Sequence, residues 1–475
     1  MAAVSIDRLQ PLDRFILRVS RTWPQDIAAL AILDGAPLMG PDGELRLEAV
    51  RDSIHRKLHL VPRLRQVIVV PPRRYGPPYW VDARDFDIAD HVRTMALEAP
   101  GAEAELLRAV ERLRRQPLDP SRPMWEMWFL TGLPDGRVAW LAKLHHTIGD
   151  GMAAMATIST LLDTSPAASE LDPPRWRPAR RPLPSDLVGD NLRARLRAQV
   201  AQLIGLIHPV RMLRGALEAW PARWELLGER PATRTSLDRI IGLDRKLALL
   251  HADLRHIRRL ARAHDATVND VLLALTAAGA RELLRRRGEL VDSVTLRAYV
   301  PVTLRRRLRG PQEGNRIGQM AVPLDLRAAP AETRLRRIAA ETARRKRRQR
   351  TSLGGLMHGG AIGRRLMLAL VMRQRVNLAT TSIPGPRRPR YLAGARVREV
   401  YPILPLVANQ PLGVGALSYA GSFTIGVVAD RDVVPDLDVF VGAMRSELAA
   451  LDAGATGVRN VPRAGQRTPE AVASR

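Results

Sequence analysis

Between a strand-like run, Val138 to Leu144, and a helix-like run, Met152 to Leu162, stands the heptapeptide His145-His146-Thr147-Ile148-Gly149-Asp150-Gly151. An apolar stretch of strand length must hand over to helical spacing within seven polar and glycine-rich residues, and this strand, turn, helix order predicts an α/β fold. On the end of an extended strand, neighbouring side chains point to opposite faces. His145 and His146 therefore cannot both reach one ion, and a metal site is set aside. Two readings of the residues stay open. The pair is purely structural, or one imidazole faces a cavity as a general base while its neighbour turns inward to hold the loop. In the second reading Asp150 fixes the turn through a buried ion pair or backbone bonds, and Gly149 and Gly151 let the backbone bend beside the ring.

The chain has 475 residues, enough for two or three domains with a real core. Before the heptapeptide, helical spacing appears at Leu45 to Leu58 and Glu103 to Arg115, and strand character at Val67 to Val70. Trp125 to Leu130 and Val138 to Leu144 read as a hairpin closed by Pro134-Asp135-Gly136. From Ser165 to about Pro184 the composition turns to Pro, Arg and Ser, as a linker does. Asn191 to Leu227 shows apolar residues at helical intervals, broken at Pro209 and Pro221, and reads either as crossover helices or as a basic amphipathic surface on lipid. The second half repeats the mixed style. Helices are predicted at Leu254 to His264, from Thr267 onward and at Leu437 to Leu451; strands at Val294 to Val300, Val397 to Val400, Gly413 to Ser418 and Ser422 to Val428. No second copy of the His-His motif is visible. The expected organisation is a domain over 1–164, a linker with helices over 165–235, a domain over 236–452 and a disordered tail over 453–475.

Composition narrows the chemistry. There is no cysteine, so disulfides, cysteine-based zinc sites and thiol nucleophiles are all excluded. The formal net charge is +27, which asks for an anionic partner. Of the 75 basic residues only Lys57, Lys143, Lys246 and Lys346 are lysine, leaving 71 arginines. Such an excess, beside abundant Ala, Leu, Gly and Pro, reads as coding bias plus a generally basic surface. Aromatic residues at 4% leave few platforms for stacking bases, so no specific nucleic-acid partner is expected. No apolar run reaches the roughly 18 residues of a membrane span, and the first 20 residues lack the apolar core of a signal peptide. A cytoplasmic protein, soluble or peripherally attached, is expected.

The His-His-x-x-x-Asp-Gly motif resembles that of the CoA-dependent acyltransferase superfamily, which includes chloramphenicol acetyltransferase, carnitine acyltransferases and nonribosomal peptide condensation domains. An ordered series of further segments resembles the bacterial wax ester synthase/diacylglycerol acyltransferase family over about residues 5 to 450. They are Pro11-Leu12-Asp13, Pro78 to Val92, Pro117 to Glu126, Asn269 to Leu275, Pro301 to Arg305, Gly314 to Gly318, Asn377 to Pro386 and Ser418 to Pro435. One departure is Thr381-Ser382 where the family has Ser-Asn before its Pro-Gly-Pro, which bears on acceptor preference.

The resemblance implies two chloramphenicol-acetyltransferase-like domains forming a pseudo-dimer, with the second histidine in a tunnel between them. It implies His146 as catalytic base, with His145, Asp150 and Gly151 as support. Pro123, Trp125, Asn269, Asp270 and Ser418 are candidate substrate contacts, although Asn269-Asp270 also reads as a helix cap. A fatty thioester is already activated, so the reaction needs neither an acyl-enzyme nor a cofactor; acyl-CoA is a substrate. The leading expectation is esterification of diacylglycerol, and of fatty alcohols to wax esters, from long-chain acyl-CoA at the inner face of a membrane or a lipid-droplet surface. The arginines, including the run Leu335 to Arg350, would serve CoA phosphates and anionic lipid. Two alternatives are acyl transfer from a carrier protein to a polyketide or peptide hydroxyl, and a non-catalytic basic protein that binds membrane or nucleic acid.

Overall fold

The structure is a computed structural model that describes residues 6–167, 172–207, 233–303, 317–348 and 376–457. The first half contributes strands β1 (Asp7–Arg8), β2 (Asp26–Asp34), β3 (Gln66–Val69), β4 (Tyr79–Asp82), β5 (Val92–Ala96), β6 (Trp125–Thr131) and β7 (Arg137–His145). The second contributes β8 (Arg245–Asp253), β9 (Thr295–Thr303), β10 (Ile317–Asp325), β11 (Leu378–Pro384), β12 (Tyr391–Leu392), β13 (Ala395–Ile403), β14 (Leu412–Tyr419) and β15 (Ser422–Asp430). They form a small sheet, β1-β4-β3, and two six-stranded sheets, β12-β13-β2-β7-β6-β5 and β10-β9-β11-β14-β15-β8.

The two large sheets share a topology. In β2-β7-β6-β5 the neighbours run antiparallel, antiparallel, then parallel. The same sequence of senses holds in β8-β15-β14-β11. In both, the order across the sheet is first strand in the chain, then last, third and second. A duplication invisible in the residues is thus explicit in the pairing, and β7, which ends on His145, corresponds to β15, which ends on Asp430.

The expected division at 236–452 is corrected in one respect. β12 and β13, from the second half of the chain, belong to the sheet of the first: Val397 pairs with Leu33 and Ile403 with Ala28. This crossing strand lies tight against β14 and β15. A Cβ on Gly426 would stand 2.1 Å from the Pro402 carbonyl oxygen, and one on Gly415 would stand 2.3 Å from Leu404 Cδ1. Only a bare pair of glycines, opposite each other in register, admits the strand at that distance.

Each half has its own core, and the seam between them is a third. The helix Val268–Arg286 is buried on every side from Asp270 to Ala280, which explains why its apolar residues run continuously rather than in a stripe. In the seam, Leu106, Val110 and Leu113 of the helix Glu103–Arg115 pack with Leu247, Leu249, Ile403 and Val428. The central strands β7 and β15 are buried at every residue but the first, so they read as apolar runs without alternation.

Most element boundaries agree with expectation to within a few residues. The last helix, Leu437–Gly457, continues past the expected end at Leu451 and into the expected tail. The helix expected from Asn191 begins earlier and spans Pro184–Ile207; the remainder of that stretch, the Gly314 to Gly318 motif apart from Ile317 and Gly318, and the tail beyond Gly457 lie outside the described residues. No helix among the described residues is long and apolar enough to cross a membrane.

Candidate active site

His145 closes β7, and its backbone N–H donates to the Met124 carbonyl at 2.9 Å, which fixes the strand end against the start of β6. Its ring is buried and held at both nitrogens. Nδ1 accepts from the Thr147 backbone N–H at 3.2 Å and lies 2.7 Å from Thr147 Oγ1. Nε2 lies 2.7 Å from Ser20 Oγ, whose own hydroxyl donates to the Ile16 carbonyl at 3.0 Å. An Nδ1 that accepts must be unprotonated, so the proton sits on Nε2 and donates to Ser20. Burial pushes the pKa of this ring down to about 4, against a smaller opposing pull from the Asp26 carboxylate and a further depression from His146. His145 is therefore a neutral strut at physiological pH.

His146 is the first residue past β7. Its backbone N–H donates to the Gln25 carbonyl at 2.9 Å, and Gln25 Nε2 in turn donates to the Leu406 carbonyl at 3.2 Å in the segment that follows the crossing strand. The backbone of His146 is thus tied to both halves of the chain. Its pKa is lowered by desolvation first; a bond to its own backbone carbonyl and the charge of Asp150 act in the opposite direction. Nδ1 is fully buried, yet the residue as a whole retains partial solvent access. With its proton-accepting form favoured at neutral pH, it can take a proton from a group that enters.

Asp150 is the N-cap of the helix Gly151–Thr160, and its Oδ1 accepts from the Ala153 backbone N–H at 2.9 Å. The backbone bond expected for it is present. A Cβ on Gly149 would stand 2.6 Å from Ala153 Cβ, and one on Gly151 would stand 3.1 Å from Ile383 Cδ1. Ile383 belongs to β11, so the motif from the first half touches the Thr381-Ser382-Ile383-Pro384-Gly385-Pro386 segment of the second. Ser418 stands opposite Pro384 in register, half-exposed, and its carbonyl accepts from the Gly385 N–H at 2.8 Å.

The other expected contacts fall elsewhere. Trp125 is a core residue, 1% exposed, with its indole N–H donated to the Leu64 carbonyl at 2.7 Å and its ring stacked on His91 at 4.4 Å. Pro123 is buried beside it, and its carbonyl accepts from the Trp125 N–H. Both support the strand that carries His145 from behind and offer no open surface. Asp270 completes a capping box with Thr267 and accepts from Thr342 Oγ1 at 2.7 Å, with Asn269 one residue before it in the same helix turn. That turn belongs to the second half's own packing and makes no described contact with the His-His motif. Sequence reasoning missed Ser20 and Gln25, which hold the two histidines through bonds spanning more than 100 residues and which nothing in their own neighbourhood marks; Met124 lies in the Pro117 to Glu126 segment, but its bond to His145 was not foreseen.

The site's counterpart in the second half carries no histidine. Where Asp26 pairs with His145 across the first sheet, Arg245 pairs with Asp430 across the second, with Arg245 Nη1 3.1 Å from Asp430 Oδ2 and both residues buried. Asp430 Oδ1 also accepts from the Val433 N–H at 3.1 Å. The duplicated position has become an ionic staple, so the fold holds one His-His turn.

Comparison with known proteins places residues 9–272 in the wax ester synthase/diacylglycerol acyltransferase catalytic domain and residues 313–452 in the WS/DGAT C-terminal domain. The probable diacylglycerol O-acyltransferase tgs1 of Mycobacterium tuberculosis is 31% identical over 94% of this chain and 96% of its own. The structure of the wax ester synthase/diacylglycerol acyltransferase from Marinobacter aquaeolei VT8 superposes with a TM-score of 0.68 at 25% identity, covering 94% of this chain and all of that one. The first condensation domain of the CDA synthetase superposes with a TM-score of 0.61 at 16% identity over 94% of this chain and 97% of that one, a likeness of fold alone.

Proposed function

We propose, from the premise that this chain belongs to the wax ester synthase/diacylglycerol acyltransferase family and is an O-acyltransferase, that it esterifies diacylglycerol and fatty alcohols from long-chain acyl-CoA with His146 as the base. The observation that carries this reading is the contrast between the two rings: His145 is locked neutral at both nitrogens, whereas His146 is desolvated and still partly open.

With Nδ1 on the buried edge, Nε2 is the nitrogen an entering hydroxyl meets. As the acceptor oxygen attacks the thioester carbonyl carbon, its proton passes to Nε2. The tetrahedral adduct collapses with cleavage of the C–S bond, and the same proton passes from Nε2 to the departing CoA sulfur. Ester and free CoA leave with no change in the enzyme, and the scheme calls for no cofactor and no acyl-enzyme. A proton shuttle of this kind contributes on the order of 10² to 10⁴ in rate, so donors to the oxyanion must add to it. Of the candidate substrate contacts, Ser418 is taken as such a donor, being next to the Ile383–Gly151 contact. We place the meeting of donor and acceptor at His146, and take a membrane or lipid inclusion facing the cytoplasm as the source of the insoluble acceptor.

The test is an assay of the full-length protein with long-chain acyl-CoA, with diacylglycerol and a fatty alcohol in competition. Triacylglycerol and wax ester are the expected products. Esterification from a carrier-bound acyl group and not from acyl-CoA would overturn this reading in favour of transfer to a polyketide or peptide hydroxyl.

A further inference from the structure

The helix Pro184–Ile207 is anchored, among its described side chains, by its first turns. Leu187 is buried with Val67, Tyr79 and Val81 on the small sheet, and Asp190 Oδ2 lies 2.5 Å from Arg8 Nη2. From Asn191 to Val200 no residue is buried. Val188, Leu192, Leu196 and Val200 are 44%, 57%, 51% and 52% exposed. At four-residue spacing each step advances the position around the helix by about 40°, so the four side chains form one apolar band about 120° wide. Isolated exposed leucines are ordinary, but here half of the exposed large apolar side chains among the described residues fall between Leu183 and Val200.

Arginines border the band on both sides: Arg193 and Arg197 along one edge, Arg195 along the other, all exposed. From Asn191 to Leu217 the sequence contains no Asp or Glu. A second copy of the stretch from Asn191 to Val200 would therefore set arginine against arginine, and Asp190, the nearest acid before it, is already paired with Arg8. A surface that is apolar below and negatively charged at its rim complements the band and both its edges. We propose that this helix docks the enzyme on an anionic lipid bilayer, with Leu192, Leu196 and Val200 entering the acyl boundary and the three arginines meeting the headgroups. The proposal deepens the reading above, in which the acceptor is a water-insoluble lipid, but it stands on exposure and charge that do not depend on that reading.

The experiment is co-sedimentation of the full-length protein with phosphatidylcholine vesicles, with and without phosphatidylglycerol, alongside esterification of a short-chain, water-dispersed substrate pair. R193Q/R195Q/R197Q is expected to weaken partition onto the phosphatidylglycerol vesicles by roughly a hundredfold, at about fivefold per arginine, and to leave the weak binding to phosphatidylcholine unchanged. L192S/L196S/V200S is expected to lose binding to both by more than about tenfold. Both variants should esterify the dispersed substrates at the wild-type rate, which shows that they are folded. Wild-type vesicle binding in either variant would overturn the proposal. So would a leucine variant whose only change is a dimer becoming a monomer, or greater protease access to residues 208–232, since the band would then be covered by a second copy or by the chain itself. A wild-type protein that binds vesicles without esterifying any substrate would refute the acyltransfer reading and support the docking surface.

Discussion

Acid should destabilise this protein through His145, by an amount the site geometry fixes. In the folded chain the ring titrates at about 4, because burial, and to a lesser degree the neighbouring His146, oppose a second proton against the smaller pull of Asp26. In the unfolded chain it titrates near the ordinary value of 6.5. Between those values the unfolded state holds a proton that the folded state refuses, so stability is full above about pH 6.5, falls as the pH drops toward 4, and changes no further below that. The displacement corresponds to about 3 kcal/mol. Urea unfolding of the wild type and His145→Gln from pH 7 to pH 4 isolates the contribution, because the burial-lowered His91 and His146 titrate in both proteins. Glutamine offers an amide N–H toward Ser20 but takes up no proton. The variant starts less stable at pH 7, and the gap should close by about 3 kcal/mol on reaching pH 4. Parallel curves would refute the assignment of a neutral, doubly held ring.

Substitutions at Asp150 and at Gly151 test the turn. Asp150→Asn keeps an acceptor for the Ala153 N–H but removes the charge that holds the His146 pKa up, so the acid limb of the rate profile should move to lower pH, whereas Asp150→Ala should also lose about 1 kcal/mol of cap stability; a limb that stays in place or moves up would contradict the pairing. Gly151→Ala presses a methyl against Ile383 Cδ1, and adding Ile383→Val removes that atom, so the double variant should unfold at a higher temperature than the sum of the single losses predicts; simple additivity would mean the contact carries no coupling.

What the sequence reveals of this molecule follows the range of each signal. The helix that begins after Asp150 could be read from the residues, because the cap lies within three residues of its partner. The capping box at Thr267 and Asp270 is likewise written in neighbouring residues. Trp125 was ambiguous because a large aromatic on a strand suits either a core or a binding wall, and only its bond to Leu64 decides. The passage of β13 into the first sheet joins residues more than 360 apart, and no periodicity carries such information. The glycines that permit it, Gly415 and Gly426, look in sequence like weak points in two strands. The resemblance to a family supplied the two-domain plan that residue patterns could not.

The central claim is that one imidazole, at position 146, moves the proton in ester formation. The most direct measurement is the initial rate of triacylglycerol formation from long-chain acyl-CoA by His146→Ala, in a preparation whose unfolding midpoint matches the wild type. The account predicts a fall of about 10² to 10⁴; a rate within about tenfold of the wild type would contradict it and require a different base.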